Sequence, residues 1–521
     1  MIQVVWFKRD LRVHDHAPLA EAARRGPVLP LYVFEPSLMA APDFAGQHAG
    51  FVQECLVELD RALRAAGVPL VVRQGEMPDL LIRLLRAAGP FALWSHEETG
   101  NGMTFDRDRR VGRWCREHGI VWTELPQHAV FRRLADRDRW SRLWDERMTQ
   151  PCPAAPDRLQ AAGIALQDTG VPQRPALPPG TPDDIPGRQP GGRARAVELL
   201  DGFLAERGAE YRRRMSSPLS AQGACSRLSA HLAYGTLSMR ETVQALWRRR
   251  AELLAVPAEH RPTGLLPSLK SFEARLHWHC HFIQKLESEP EIEFRNMHRG
   301  FDGLRDGPVD RDRLSAWARG ETGYPLVDAC MRMLHHTGWV NFRMRAMLVS
   351  FASYQLWLHW REPSLHLARL FLDYEPGIHY PQVQMQSGTT GINTVRMYNP
   401  LKQARDQDPE GTFVRRWVPA LERVPSPWIF EPWTMPVDVQ RESGCRIGED
   451  YPAPVVDNAA AMRAARERVW SVKARAESRE EAQRVYDRHG SRAPNREGVR
   501  VRRSRKLAAT AQASLFPDSG D

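Results

Sequence analysis

Residues Glu321 to Arg345, ETGYPLVDACMRMLHHTGWVNFRMR, decide how this chain is read. Gly323-Tyr324-Pro325 is a turn, with glycine tolerating unusual φ and proline pre-setting its own. Leu326, Val327, Met331, Met333 and Leu334 follow at helical spacing from Pro325, a favourable first helical position. A second turn at Thr337-Gly338 opens another predicted helix, carrying Trp339, Arg343 and Arg345. Arg343 and Arg345 point to different faces, because neighbours on a helix lie three or four apart. The nearest acidic cluster, Asp373 and Glu375 in DYEPGIHYPQ, stands further along the chain. Two readings stay open: helices that hold a polar object between buried arginine and buried acid, or an ordinary helical core with surface ion pairs.

At 521 residues the chain exceeds one hydrophobic core, so two or more domains are expected. A hydrophobic content of 42% with mixed charge is that of a soluble globular protein. No run approaches the roughly 18 apolar residues of a membrane span. The opening MIQVVWFKRD has none of the parts of a secretory signal, so a cytoplasmic protein with no membrane partner is expected. The seven cysteines are scattered without a CxxC pair, and no metal centre is expected. The net charge of +10 favours a polyanionic partner, although arginine-rich composition alone gives the same bias.

Residues 1–135 alternate short apolar runs (Ile2 to Trp6, Val28 to Phe34, Leu70 to Arg73, Phe91 to Trp94, Ile120 to Thr123) with amphipathic stretches. This predicts an α/β domain built on a parallel sheet with helices on both faces, Rossmann-like in layering. WFKRDLRVHD follows the first strand where a dinucleotide fingerprint would stand, so GxGxxG is missing. Residues 136–192, rich in Pro and Gly, read as an interdomain linker. Residues 193–475 show spacings of three and four almost throughout and predict an all-α domain. Residues 476–521 are polar and basic, and are expected to lack order beyond their first helical turns; RVRRSRK there reads as a solvated tail or a nucleic-acid contact.

Three features carry chemistry. Cys225-Ser226-Arg227-Leu228-Ser229 places hydroxyls and an arginine before a helical run, the makings of an anion site or of a simple serine N-cap. Tyr211 precedes Arg212, Arg213 and Arg214 upstream, at the end of a predicted helix. The stretch Phe272 to Phe282 combines Trp278 with His277, His279 and His281; His277 and His281 have ligand spacing but no acidic partner, so a ligand-facing aromatic groove is preferred over metal. Trp357 and Trp360, three apart, are expected to share a helix face and suggest an electron path to a redox cofactor, or plain core packing.

Together these residues resemble the photolyase/cryptochrome flavoprotein family over nearly the whole chain, to about Val456. WFKRDLRVHDHAPL, EETGNGMTFDRDRRV, GACSRLSAHLAYGTLS, GETGYPLVDACMRML, TGWVNFRMR, MYNPLKQARDQDPEGTFVRRWVPAL and YPAPVVD occur in family order. The resemblance implies FAD in the helical domain, held by Tyr211, Cys225, Ser226, Arg227, Leu228, Ser229, Phe272, Arg345, Asp373, Tyr374 and Glu375. It implies contact with UV-damaged DNA through Arg275, Trp278, His279, Phe282, Phe342, Arg343 and Gln403. Excited reduced flavin would pass an electron to a flipped-out pyrimidine dimer. The α/β domain of the family allows a second, antenna chromophore.

The chain departs from the family around the lesion pocket. Arg275 stands where dimer-splitting enzymes carry Glu and Ala346 where Met is common; apart from the pocket, in the N-terminal motif, His16 stands where Asn is usual. His379 replaces the usual Asn near flavin N5, which would make it a proton donor or a stabiliser of the flavin anion. Met385 replaces an apolar or aromatic lesion contact. Trp360 matches the middle tryptophan of the familiar electron chain, while Val383 stands at the flavin-proximal position and none is visible near Gly307. Trp357 and Trp360 are expected to supply the substitute route. The rival reading is a blue-light receptor that signals through a protein partner.

Overall fold

The computed structural model describes residues 1–164, 170–171 and 175–491. Five strands, β1 (Ile2–Phe7), β2 (Val28–Phe34), β3 (Val71–Gln74), β4 (Phe91–His96) and β5 (Val121–Leu125), form one parallel sheet in the order β3-β2-β1-β4-β5. Side chains alternate across the pleat, so Val4 and Trp6 enter the core on one face while Val5 and Phe7 enter the core on the other. Burial on both sides explains why these strands are continuous apolar runs. The strand order reverses at β1, and the crevice beyond the carboxyl ends of β1 and β4 is where such sheets admit ligands. Lys8 and Arg9 after β1, with Glu98 after β4, line a cavity of about 170 Å³ there.

The helical domain is built on the Leu265–Ser288, Pro325–Thr337, Phe342–Ser350 and Pro376–Ser387 helices. Pro325 is the first residue of its helix, and Gly338, at φ 65°, ends it in the left-handed conformation that costs glycine no steric clash. Trp339 lies outside the next helix, which begins only at Phe342. Asp328 is fully buried and locks the entry turn: its carboxylate accepts from Thr322 N (2.8 Å), Thr322 Oγ1 (2.6 Å), Gly323 N (3.1 Å) and Tyr451 Oη (2.6 Å).

Three expectations need correction. Trp357 and Trp360 do not share a helix face. After Ser350 the helix widens into a π turn, Phe351–Gln355, and both tryptophans lie between it and the Arg361–Leu370 helix. Trp357 has φ 56°, a strained left-handed backbone for a bulky residue, with the Arg305 and Arg468 guanidiniums 4.5 and 4.8 Å from its ring. Trp360 is fully buried and donates to Asn296 Oδ1 (2.8 Å).

The expected linker, 136–192, contains a helix, Trp140–Thr149, whose Trp140, Trp144 and Met148 recur every fourth residue and enter the helical core. The flanking arginines obscured that stripe. The expected tail begins with the four-turn Ala476–His489 helix, which is docked through His298 Nε2 to Ser478 O (2.8 Å) and His489 Nε2 to Glu289 Oε2 (2.6 Å). RVRRSRK lies outside the described residues.

Asp328→Ala leaves four buried donors without their acceptor. It is expected to lower unfolding stability by about 3 kcal/mol, measured by urea denaturation with wild type alongside. A loss under roughly 0.5 kcal/mol would show that this turn does not lock the domain.

Candidate functional site

A cavity of about 330 Å³ opens in the helical domain. Its wall is contributed by sequence-distant segments that the helices bring together. Tyr211 opens a short helical turn, Tyr211–Arg214, rather than ending a helix, and its ring packs against Phe203 and Phe272. Cys225, Ser226, Arg227 and Leu228 line the cavity as a loop between helices, and Ser229 lines it as the first residue of the Ser229–Ala233 helix. Ser226 Oγ accepts a long bond from Leu228 N (3.4 Å). Phe272, Arg275, Trp278, His279 and Phe282 reach it from the Leu265–Ser288 helix, and Phe342, Arg343 and Arg345 from the Phe342–Ser350 helix.

The acid–arginine question is answered by geometry. Arg345 grips Asp373 with two parallel hydrogen bonds, Nη1 to Oδ1 (2.9 Å) and Nη2 to Oδ2 (3.0 Å), while its Nε donates to Val340 O (2.8 Å). Burial alone raises the Asp373 carboxyl, but the Arg345 charge and hydrogen bonds, with Ser229 and Arg227 nearby, hold it below the ordinary carboxylate range. Glu375 also faces the cavity, its pKa raised by burial against the pull of Arg9.

Arg227, at φ 63°, lies over the Trp339 ring at 3.9 Å; burial pushes its pKa down to about 10, so it is a cation at neutral pH. Its Nη1 is buried and finds no hydrogen-bond partner among the described residues. The same holds for Asn341 Oδ1, Gln382 Oε1 and Glu375 Oε1, all on cavity-lining residues. Buried polar atoms are ordinarily paired, so donor and acceptors here await a ligand that is anionic at one end and hydrogen-bonding at another.

The Pro376–Ser387 helix corrects the expected site. Ile378, Gln382, Met385 and Gln386 line the cavity, and His379 and Val383, one residue on in each case, turn away from it. His379 is buried behind the wall; its Nε2 meets Ser364 O (2.9 Å), its ring contacts Phe371, Tyr374 and Tyr380, and burial lowers its pKa to about 4. A proton-donor role at the cavity is therefore withdrawn. Tyr374 also faces away: its hydroxyl donates to Asp43 (2.6 Å) beside the second cavity. Gln403 is buried in the Pro400–Gln407 helix, off the wall, and the preceding Tyr398 reaches the cavity instead. Trp357, Trp360 and Ala346 are not wall residues either.

Sequence reasoning missed Asn341, Gln382, Asn393 and Arg396. Asn341 stands inside TGWVNFRMR, where its pinning by bonds to Met215 O (3.1 Å) and Ser216 O (2.7 Å) left no sequence signal. It also missed a buried cluster in the α/β domain, in which Asp10 Oδ2 joins His16 Nε2 (2.9 Å) and His96 Nδ1 (2.6 Å). The only hint was His16 in place of the family's asparagine.

A family model described as DNA photolyase matches residues 3–135, and one described as the FAD binding domain of DNA photolyase matches residues 272–471. A deoxyribodipyrimidine photo-lyase of Streptomyces griseus is 31% identical over 476 residues, covering 88% of this chain and 97% of that one. The chain belongs to the photolyase/cryptochrome family. A cryptochrome DASH of Gloeobacter violaceus is similar at 29% identity over 494 residues, 90% of this chain and 96% of the relative. The crystal structure of a bacterial class III photolyase from Agrobacterium tumefaciens superposes with a TM-score of 0.76 at 26% identity, over 90% of this chain and 97% of that one. Among the described residues, no helix is long and apolar enough to cross a membrane. The FAD-binding match begins at Phe272, so Tyr211 and the Cys225–Ser229 loop join its cavity through the fold.

Because the folded Asp373 carboxyl titrates below its ordinary value of 3.8, its stabilising pair is complete above about pH 4 and is lost as pH falls further. Asp373→Asn is expected to remove that part of the acid sensitivity, leaving a flatter stability profile below about pH 4. Thermal unfolding across a pH series reads it; an identical acid limb in the two proteins would contradict the assignment.

Proposed function

We propose that this protein is an FAD-dependent, blue-light-driven lyase that splits UV-induced pyrimidine dimers in DNA. The observation that carries the proposal is the cavity in which the Arg345–Asp373 pair and the unpartnered Arg227 Nη1 stand together. The residues present fit the cofactor. Arg227, with Ser226 and Tyr211, would hold the anionic phosphates, since a guanidinium favours phosphate oxygens. Asp373, Glu375, Asn341 and Gln382 offer acceptors to the polar edge of the ring system. Bound reduced flavin, when excited by blue light, supplies the electron that opens the dimer and takes it back afterwards.

The remaining wall suits an extruded base pair. Trp278, Phe282, Phe342 and Met385 give flat and apolar surface for stacking, and extrusion is cheapest for a damaged pair. Arg275, Arg343 and Arg396 bring positive charge to the same wall, where phosphate neutralisation makes binding steeply salt-dependent. The cavity between the domains, walled by Trp6, Tyr32, Phe34 and Arg107, is the place for an antenna chromophore.

One observation favours a second reading, a light receptor without repair. Arg275 is donor-only and cannot accept from a pyrimidine N–H as the family's glutamate does. The experiment gives reduced, FAD-loaded protein single- and double-stranded DNA containing dimers, under blue light, and assays restored bases. Light-dependent restoration on either substrate is expected. None on both, with FAD bound, would decide for the receptor.

Of the two proposed redox tryptophans, Trp360 is retained as the relay, buried with its ring 6.4 Å from that of Tyr380. Trp360→Phe is expected to slow flavin photoreduction at least tenfold, followed by absorbance under blue light, whereas Trp357→Phe leaves the rate within about twofold. An unchanged rate in Trp360→Phe would remove the relay.

A further inference from the structure

Arg9 belongs to the α/β domain but acts on the wall of the helical cavity. It leaves the carboxyl end of β1, its backbone carbonyl held by Gln127 Nε2 (2.8 Å). Its guanidinium crosses the domain boundary, donating from Nε to Ala233 O (2.9 Å) and from Nη2 to Tyr374 O (2.6 Å). The same Nη2 lies 3.5 Å from Glu375 Oε2, and the guanidinium rests over Tyr234 at 5.1 Å. Ala233 and Glu375 both line the large cavity, while Arg9 itself lines the smaller one between the domains. One side chain therefore lines the smaller cavity and contacts two wall residues of the larger.

The approach is tight and built in. A Cβ at Gly235, φ 67°, would lie 2.3 Å from Arg9 O and 2.6 Å from Asp10 Cα. Leu11 N donates to Tyr234 O (3.1 Å) and Arg12 Nη1 to Gly235 O (2.9 Å), so residues 9–12 are knit to 233–235. Glu375, 6% exposed, has its Oε1 unpartnered among the described residues. The groups that act on its charge are Arg9, which favours it, Glu98, which opposes it, and the Gly377 N–H, which favours it.

We propose that Arg9 is the positioning residue for Glu375, so that the charge shown to the cavity's ligand is set by a side chain that also lines the interdomain cavity. Burial holds the Glu375 carboxyl above its ordinary range, and Arg9 opposite pulls it back toward the ionised, acceptor-only form. Without it, burial favours the protonated acid, which donates one hydrogen bond and accepts others.

The inference rests on the cavity holding FAD, and a double-mutant cycle on the full chain separates the two claims. FAD affinity is measured by fluorescence quenching for wild type, Arg9→Gln, Glu375→Gln and the pair. Each single change is expected to weaken binding about fivefold, and the pair no more than the weaker single, because coupled neighbours are non-additive. Infrared spectra should show a protonated carboxyl in Arg9→Gln at neutral pH that is absent in the double variant and in Arg9→Lys, where a cation is kept. Additive losses, with no protonated carboxyl in Arg9→Gln, would overturn the assignment and leave Arg9 as a mere interdomain tie. Wild type that binds no FAD would overturn the cavity reading itself. If Arg9→Gln does not fold, Arg9→Met, which also removes the cation, completes the cycle, and additivity there again counts against the inference.

Discussion

The site depends on one ion pair, Arg345 with Asp373. Its two hydrogen bonds, 2.9 and 3.0 Å, tie the Phe342–Ser350 helix to the turn that precedes the Pro376–Ser387 helix. Buried pairs of this kind add little net stability over apolar packing, but losing one partner strands a charge at a cost of about 3–5 kcal/mol. Asp373 does more than balance Arg345. It also meets Ser229 and lies near Arg227, so one carboxylate draws the Cys225–Ser229 loop and the helix together while moderating two arginines that oppose each other.

Behind that pair the two domains interlock. His48 Nε2 meets Phe371 O (3.1 Å), Tyr374 reaches Asp43, and Arg9 holds Tyr374 O, all along the segment that carries Asp373 and Glu375. The acidic edge of the cavity is thus clamped from the sheet side. This gives a physical reason for the α/β domain to stay attached to a cavity whose walls are otherwise helical.

Much of the architecture was legible because it rests on periodicity and burial. Strands such as Val28–Phe34, apolar on both faces, have sequence limits that coincide with the structural ones. Pro325 and Gly338 bracket their helix because each has a backbone preference that few other residues share. What was missed depends on rotation and on tertiary pull. Alignment to a family brought His379 to the flavin, yet a turn of one residue moves a side chain by about 100° around a helix, and Ile378 and Gln382 hold the wall instead. Spacing of three predicted a shared face for Trp357 and Trp360, but the π turn before them breaks the helix. Trp140, Trp144 and Met148 were hidden among arginines whose polarity says nothing about the buried face. The Arg9–Glu375 contact joins residues so far apart in the chain that no local pattern connects them.

In the proposed arrangement one FAD sits in the helical cavity, with its phosphates at Arg227 and the polar edge of its ring system at the Arg345–Asp373 pair. A crystal structure of the protein loaded with FAD tests it most directly. Flavin density is expected in this cavity, with a phosphate oxygen on Arg227 Nη1 and Asp373 still paired to Arg345. Density confined to the cavity between the domains, or a bound flavin that leaves Arg227 without a contact, would contradict it.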